Sequence, residues 1–200
     1  MKMGGLFSFF SSTAPLDYWL DGRVVWITGA SSGLGRALAI EAARRGARVA
    51  LSARDVGKLE EVSRECLAVA PPPPPPSSSS SQGQGQGQGH RVRVLVRRLD
   101  MGAFDGPEFA AAAAEVTRAL GGLDLLISNA GVSTRSSAKE TALSVDVSVM
   151  GTNFFGPVAL TKAALPHLRQ ASSGSIWFDW VWFERERTRR LSFEPNRTVP

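Results

Sequence analysis

From Arg23 onward, short apolar, β-prone runs alternate with stretches whose apolar positions recur at helical spacing. Arg23-Val24-Val25-Trp26-Ile27-Thr28 reads as a first strand ending in a glycine cluster. Residues 33–45 follow with Leu34, Leu38, Ala39 and Ala42 on a helical period, and Gly46 is a natural stop. Ala47 to Ala53, carrying Val49 and Leu51, is a second strand. Asp55 is placed to cap a second helix whose apolar face is Val56, Leu59, Val62, Cys66 and Leu67. Further on, Val92 to Leu99 is a third strand. Asp105 to Leu120 is a helix, capped by Asp105, begun near Pro107 and stopped by Gly121. Leu123 to Ser128 is a fourth strand, Ser144 to Arg169 a long helical region, and Ser175 to about Trp182 a fifth strand. Strands alternating with helices of this length predict βαβ units with right-handed crossovers. The fold class is therefore α/β, a doubly wound parallel sheet, incomplete after strand five.

The alternation is interrupted once. Pro71 to Pro76, Ser77 to Ser81 and the Gln-Gly repeat from Gln82 to Gly89 cannot bury a core, and the proline part favours extended polyproline II. Two readings stay open: an expanded surface loop, tolerated because closure entropy grows slowly with length, or a docking segment for an aromatic groove. The chain then divides into an N-terminal extension (1–20), one domain (21–176) with a low-complexity insert (71–90), and a tail (177–200).

Composition narrows the class of partner. The net charge is +5, from 23 basic and 18 acidic residues. The basic residues are spread along the chain, with pairs only at Arg44-Arg45, Arg97-Arg98 and Arg189-Arg190, which makes no nucleic-acid footprint. Cys66 is the single cysteine, so no internal disulfide forms and a reducing compartment is favoured. A cytoplasmic location is expected, with an organelle or a membrane surface as the alternative. No apolar run approaches the ~20 residues of a membrane span. Gly5-Leu6-Phe7-Ser8-Phe9-Phe10 is too short to span and leaves open a disordered terminus, a weak interfacial anchor or a targeting remnant.

Candidate chemistry begins at the first turn. Thr28-Gly29-Ala30-Ser31-Ser32-Gly33-Leu34-Gly35 sits between a strand and a helix. Glycines there let backbone approach a pyrophosphate, and the helix offers free N–H groups with the positive end of its dipole. The Gly-x3-Gly-x-Gly spacing differs from the commoner G-x-G-x-x-G fingerprint. At the end of the second strand, Leu51-Ser52-Ala53-Arg54 puts Ala53 where a carboxylate would bind the ribose 2′-OH of NAD. Arg54 follows, and a guanidinium suits a 2′-phosphate. Ser31 could add a hydroxyl donor. NADP(H) is thus favoured over NAD(H).

The pattern Thr-Gly-x3-Gly-x-Gly resembles the short-chain dehydrogenase/reductase family, with its Rossmann-type fold. Asp100 resembles the family's adenine-contacting Asp, next to Met101. Ser128-Asn129-Ala130-Gly131 resembles its Asn-Asn-Ala-Gly segment, with Ser replacing the first Asn. Asn153 in Asn-Phe-Phe-Gly resembles the helix Asn of its active-site tetrad. Residues 131–137 and 160–166 are most similar to the subgroup around family member seven. The resemblance covers about Asp21 to Ile176, apart from the low-complexity insert. It implies cofactor contacts from Gly29, Ser31, Ser32, Gly33, Leu34, Gly35, Arg54, Asp100, Met101, Asn129, Ala130 and Gly131, a catalytic part for Asn153, and hydride transfer between a small carbonyl and an alcohol. Family members commonly pair through late helices, and the oligomeric state is left open.

In the family, the Asn region holds a water in a proton relay. Pro157, four residues after Asn153, offers no N–H to its carbonyl, so the helix should kink there, either exposing that carbonyl or merely breaking the helix. The resemblance also implies a Tyr that moves the proton, a Lys four residues later that lowers the Tyr pKa, and a Ser on strand five. Tyr18 is the only tyrosine and precedes the first strand. None of Lys2, Lys58, Lys139 and Lys162 has a Tyr four positions earlier. After Ile176 the sequence turns abruptly to Trp177-Phe178-Asp179-Trp180-Val181-Trp182-Phe183 and then to a charged run. That change is expected of a truncated isoform, a retained intron or a frame shift, and it predicts an inactive chain with an exposed edge strand; the alternative is a catalytically dead protein that binds NADP(H) and acts through interaction, or a truncated gene-model product.

Overall fold

The run Val24–Thr28 has no polar side to offer solvent, and all five residues are buried as the central strand β1. The computed structural model describes residues 20–72, 93–168 and 175–178. Within them, β2 (Arg48–Ala53) and β3 (Val94–Arg98) lie on one side of β1. On its other side lie β4 (Leu125–Ser128) and β5 (Ser175–Phe178), giving the order β3-β2-β1-β4-β5. All four pairings are parallel. The helices are α1 (Gly33–Arg44), α2 (Val56–Val69), α3 (Glu108–Leu120), α4 (Leu143–Met150) and α5 (Gly156–Leu168), and a π-helical turn at Gly151–Phe155 joins the last two. This is the doubly wound sheet that the alternation predicts.

Side-chain alternation along β1 sorts its residues into two cores. Val24 and Trp26 pack with Leu126, Phe109, Val116 and Leu160, under α3 and α5. Val25 and Ile27 pack with Leu51, Ala39, Leu59 and Val62, under α1 and α2. The buried indole of Trp26 keeps its hydrogen bond by donating Nε1 to Ser52 Oγ at 2.8 Å.

Several local expectations are corrected. Asp105 does not cap α3: the helix starts at Glu108, Pro107 occupies the cap position, and no side chain caps it. Proline's fixed φ starts the turn on its own, with Ala111 N–H donating to the Pro107 carbonyl. Leu67 is 52% exposed and leaves the face formed by Leu59, Val62 and Cys66, because it stands a further 100° or so round the helix from Cys66. The expected helical region 144–169 is found as unbroken helix over Leu143–Leu168, with the π-helical turn inside it.

That stretch, Leu143–Leu168, is 26 residues long and apolar enough, by length and composition alone, to cross a membrane. Counting uninterrupted apolar runs overlooks it, because Asp146, Lys162 and His167 break the run. Its second half belongs to the core through buried Leu160, Ala164 and Leu168. The fifth strand continues through Trp177 and Phe178, past Ile176. Its expected extension to Trp182 lies outside the described residues, as do 73–92 and most of the N-terminal extension.

Candidate functional site

The order β3-β2-β1-β4-β5 reverses direction between β1 and β4, and a crevice opens beyond the carboxyl ends of these strands. It is a cleft of about 370 Å³. Its floor is the turn after β1. Gly29 has φ +66°, and a Cβ there would lie 2.7 Å from Ala130 Cα and 2.9 Å from Asn129 Nδ2. Gly35 is buried in α1, where a Cβ would strike the Gly29 carbonyl oxygen and lie 2.5 Å from Asn129 Nδ2. Gly33 has φ +56° with open space beside it. The three glycines thus have separate duties: two let α1 and β4 close on the turn, and the third leaves bare backbone at the helix entrance. Ser32 stands at the α1 cap position without a side-chain cap bond, so the first N–H groups of α1 keep their capacity for an anion.

A buried hydroxyl joins the two strand ends. Thr28 Oγ1 accepts the N–H groups of Asn129 and Ala130, each at 3.1 Å, and Asn129 Nδ2 donates to the Thr28 carbonyl at 2.9 Å and the Gly29 carbonyl at 3.3 Å. Asn129 therefore braces the turn from below. From β3, the Asp100 carboxylate accepts the Gly102 N–H at 3.0 Å, which shapes the loop beside Met101. Gly156, at the start of α5, comes so close to the Met101 carbonyl that a Cβ would clash with it.

Of the residues singled out by sequence, Gly29, Ser31, Ser32, Arg54, Asp100, Met101, Ala130 and Gly131 line the cleft together. Gly33, Leu34, Gly35 and Asn129 do not line it, and Leu34 points outward at 46% exposed. Arg54 is exposed and makes no hydrogen bond or ion pair with any described residue. Asn153 lies beside the cleft rather than in its lining. Its side chain is engaged with the loop after β4: Oδ1 accepts the Val132 N–H and Nδ2 donates to the Val132 carbonyl, both at 2.8 Å. The helix leaves α geometry at Gly151–Phe155, ending two residues before Pro157, with the Gly156 N–H donating to the Gly151 carbonyl five residues back. This irregularity falls where the kink was expected.

The sequence reading missed Ser52, Asp55, Lys58, Val132 and Thr152 as lining residues. Lys58 had a signal: it stands one turn after Arg54. Thr152 had none, because its direction depends on the π-helical turn.

A larger cleft, about 470 Å³, opens at the opposite ends of the strands. Three of its charged groups, Arg23, Arg48 and Asp124, are engaged in structural bonds. Arg48 donates to the Gly22 and Leu120 carbonyls, and Asp124 pairs with Arg23 at 3.2 Å while accepting the Val24 N–H at 2.8 Å. Burial pushes the Arg48 guanidinium below its ordinary pKa, with Asp124 opposing that shift. These bonds tie β1, β2 and the C-terminal end of α3 together.

The family model described as short chain dehydrogenase matches residues 23–71 and 81–178. The chain belongs to that family. Within it, the chain is similar to members 7 and 7B. It is 39% identical over 178 residues to dehydrogenase/reductase SDR family member 7B of Bos taurus, covering 86% of this chain and 48% of the relative. It is 35% identical over 160 residues to member 7 of Homo sapiens, covering 80% and 42%. The chain thus spans about half the length of these relatives. Among solved structures, a metagenomic short-chain oxidoreductase in complex with NADP aligns with a TM-score of 0.64 at 30% identity, covering 80% of this chain and 62% of the other. An alcohol dehydrogenase from Thermococcus sibiricus, complexed with 5-hydroxy-NADP, aligns with a TM-score of 0.62 at 27% identity, covering 78% and 57%.

Proposed function

We propose that this chain binds a nicotinamide dinucleotide in the cleft at the switch point and prefers NADP(H) to NAD(H). The family's chemistry, hydride transfer between a carbonyl and an alcohol, would then be an activity that these 200 residues support but do not complete. The observation that carries the reading is Arg54. It is an unpartnered guanidinium at the end of β2, after Ala53, on the same cleft as the glycine turn. The residues fit the group. The turn Gly29–Ser32 and the entrance of α1 would hold the pyrophosphate, Asp100 and Met101 the adenine side, and Ala130 and Gly131 the floor toward the nicotinamide. The nicotinamide supplies the hydride when bound. The chain's own part is to orient it, with Asn153 holding the Val132 loop in place.

Turnover needs a proton donor of suitable pKa at the carbonyl oxygen. The only tyrosine, Tyr18, precedes β1, and no tyrosine stands four residues before a lysine. Incubating the chain with NADPH and a panel of aldehydes, ketones and quinones is expected to leave the NADPH unconsumed, while its fluorescence changes saturably with protein. Consumption of NADPH would overturn the inactive reading, and no fluorescence change would overturn the binding reading.

A further inference from the structure

We propose that Lys58 is a second cation for the ribose 2′-phosphate, held in reserve by Asp55, so that the Asp55–Lys58 pair sets how strongly the cleft prefers a phosphorylated dinucleotide. The inference rests on the proposed binding of that cofactor.

Three observations lead to it. First, both residues line the cleft alongside Arg54, on the α2 side. Second, Lys58 stands in the first turn of α2, with no acidic residue in that turn. A cation there opposes the helix dipole, whose positive end lies at the helix start, so only the loose pair with Asp55 favours it in the free chain. An incoming dianion would reverse that sign. Third, the two side chains are coupled loosely. Asp55 Oδ1 is committed to capping, accepting the Lys58 backbone N–H at 3.1 Å. The other oxygen, Oδ2, lies 3.6 Å from Lys58 Nζ, in an ion pair whose side chains are 62% and 51% exposed for Lys58 and Asp55. Such a pair contributes little to stability and exchanges readily for a better anion. A phosphate near Arg54 carries more charge than one guanidinium neutralises. Asp55 alone would repel it. Lys58 offsets that carboxylate in the free chain and can turn to the phosphate in the bound one. Gly57, exposed between them, adds no side chain to obstruct the approach.

The geometry separates this role from a structural one. The cap uses the Lys58 backbone, so Lys58→Met leaves it intact, and Asp55→Asn keeps a good capping side chain while removing the charge. The test is calorimetric titration of the intact chain and both variants with adenosine 2′,5′-bisphosphate and with adenosine 5′-monophosphate, which lacks the 2′-phosphate. Lys58→Met is expected to weaken the bisphosphate roughly tenfold, in line with loss of one charge-assisted contact, and to leave the monophosphate unchanged. Asp55→Asn is expected to tighten the bisphosphate about threefold, an effect that fades as salt screens it. Lys58→Arg should restore wild-type affinity. If the wild-type chain prefers the bisphosphate but Lys58→Met binds it equally well, or loses both ligands alike, the proposal is overturned and the cleft's assignment stands. If the wild-type chain binds neither ligand, both fall.

Discussion

Gly35 shows how little room the site leaves at the residue scale. A methyl group there meets the Gly29 carbonyl and the Asn129 amide, neither of which can move without opening the Thr28 bonds. Gly35→Ala is expected to lower the melting temperature and to abolish dinucleotide binding, which paired calorimetry and titration would show. Thr28→Val keeps the β-branched shape but leaves the Asn129 and Ala130 N–H groups without their acceptor. Its expected cost is about 1–3 kcal/mol, measured by denaturant unfolding. Cys66 is chemically quiet. Burial, with Glu65 adding to it, pushes its thiol up to about 11. The unfolded chain would release this proton at lower pH than the folded one. The thiol therefore reduces stability only as pH rises past its ordinary 9.0 and through about 11. At neutral pH, thiol-specific labelling of the native chain should be slower than labelling in denaturant by at least about a hundredfold, because it waits on local opening. Fast labelling of the native state would contradict the buried placement.

At the scale of elements, the sequence was most readable where one interaction dominates. The continuous apolar run of β1, the stop at Gly121 with φ 79°, and the Asp55 cap were all legible, because each follows from local sterics or a local hydrogen bond. Asp105 and Leu67 were misread because their roles depend on how α3 starts and on which face of α2 meets β2. The glycine turn and Arg54 could be placed in one cleft from motif order alone, whereas Thr152 could not, since the π-helical turn that aims it is set by packing of Gly151 on Phe104 and of Gly156 on Met101. That turn also fixes Asn153. Asn153→Ala should speed hydrogen exchange at the Val132 N–H and weaken NADPH binding several-fold, with little loss of global stability. Unchanged exchange at Val132 would show that the loop holds without it.

Across the whole molecule, the sheet is covered on both faces, yet part of it is under-protected. Among the described residues, β3 and β5 form its two edges. None of α4 is buried, and its Leu143, Val145, Val147 and Met150 are exposed, at 75%, 40%, 63% and 47%. Apolar surface of this kind promotes association. The chain is expected to melt below about 65 °C, within the usual mesophile range, and a double Leu143→Lys, Val147→Lys variant should scatter less light on heating without a lower midpoint. Binding of NADP(H) in the cleft at the switch point is tested most directly by titrating the intact chain with NADPH and NADH under identical salt. Saturable NADPH binding, with NADH weaker by about tenfold or more from loss of the charged 2′-phosphate contacts, is the predicted result. Equal affinities, or binding of neither cofactor, would contradict it.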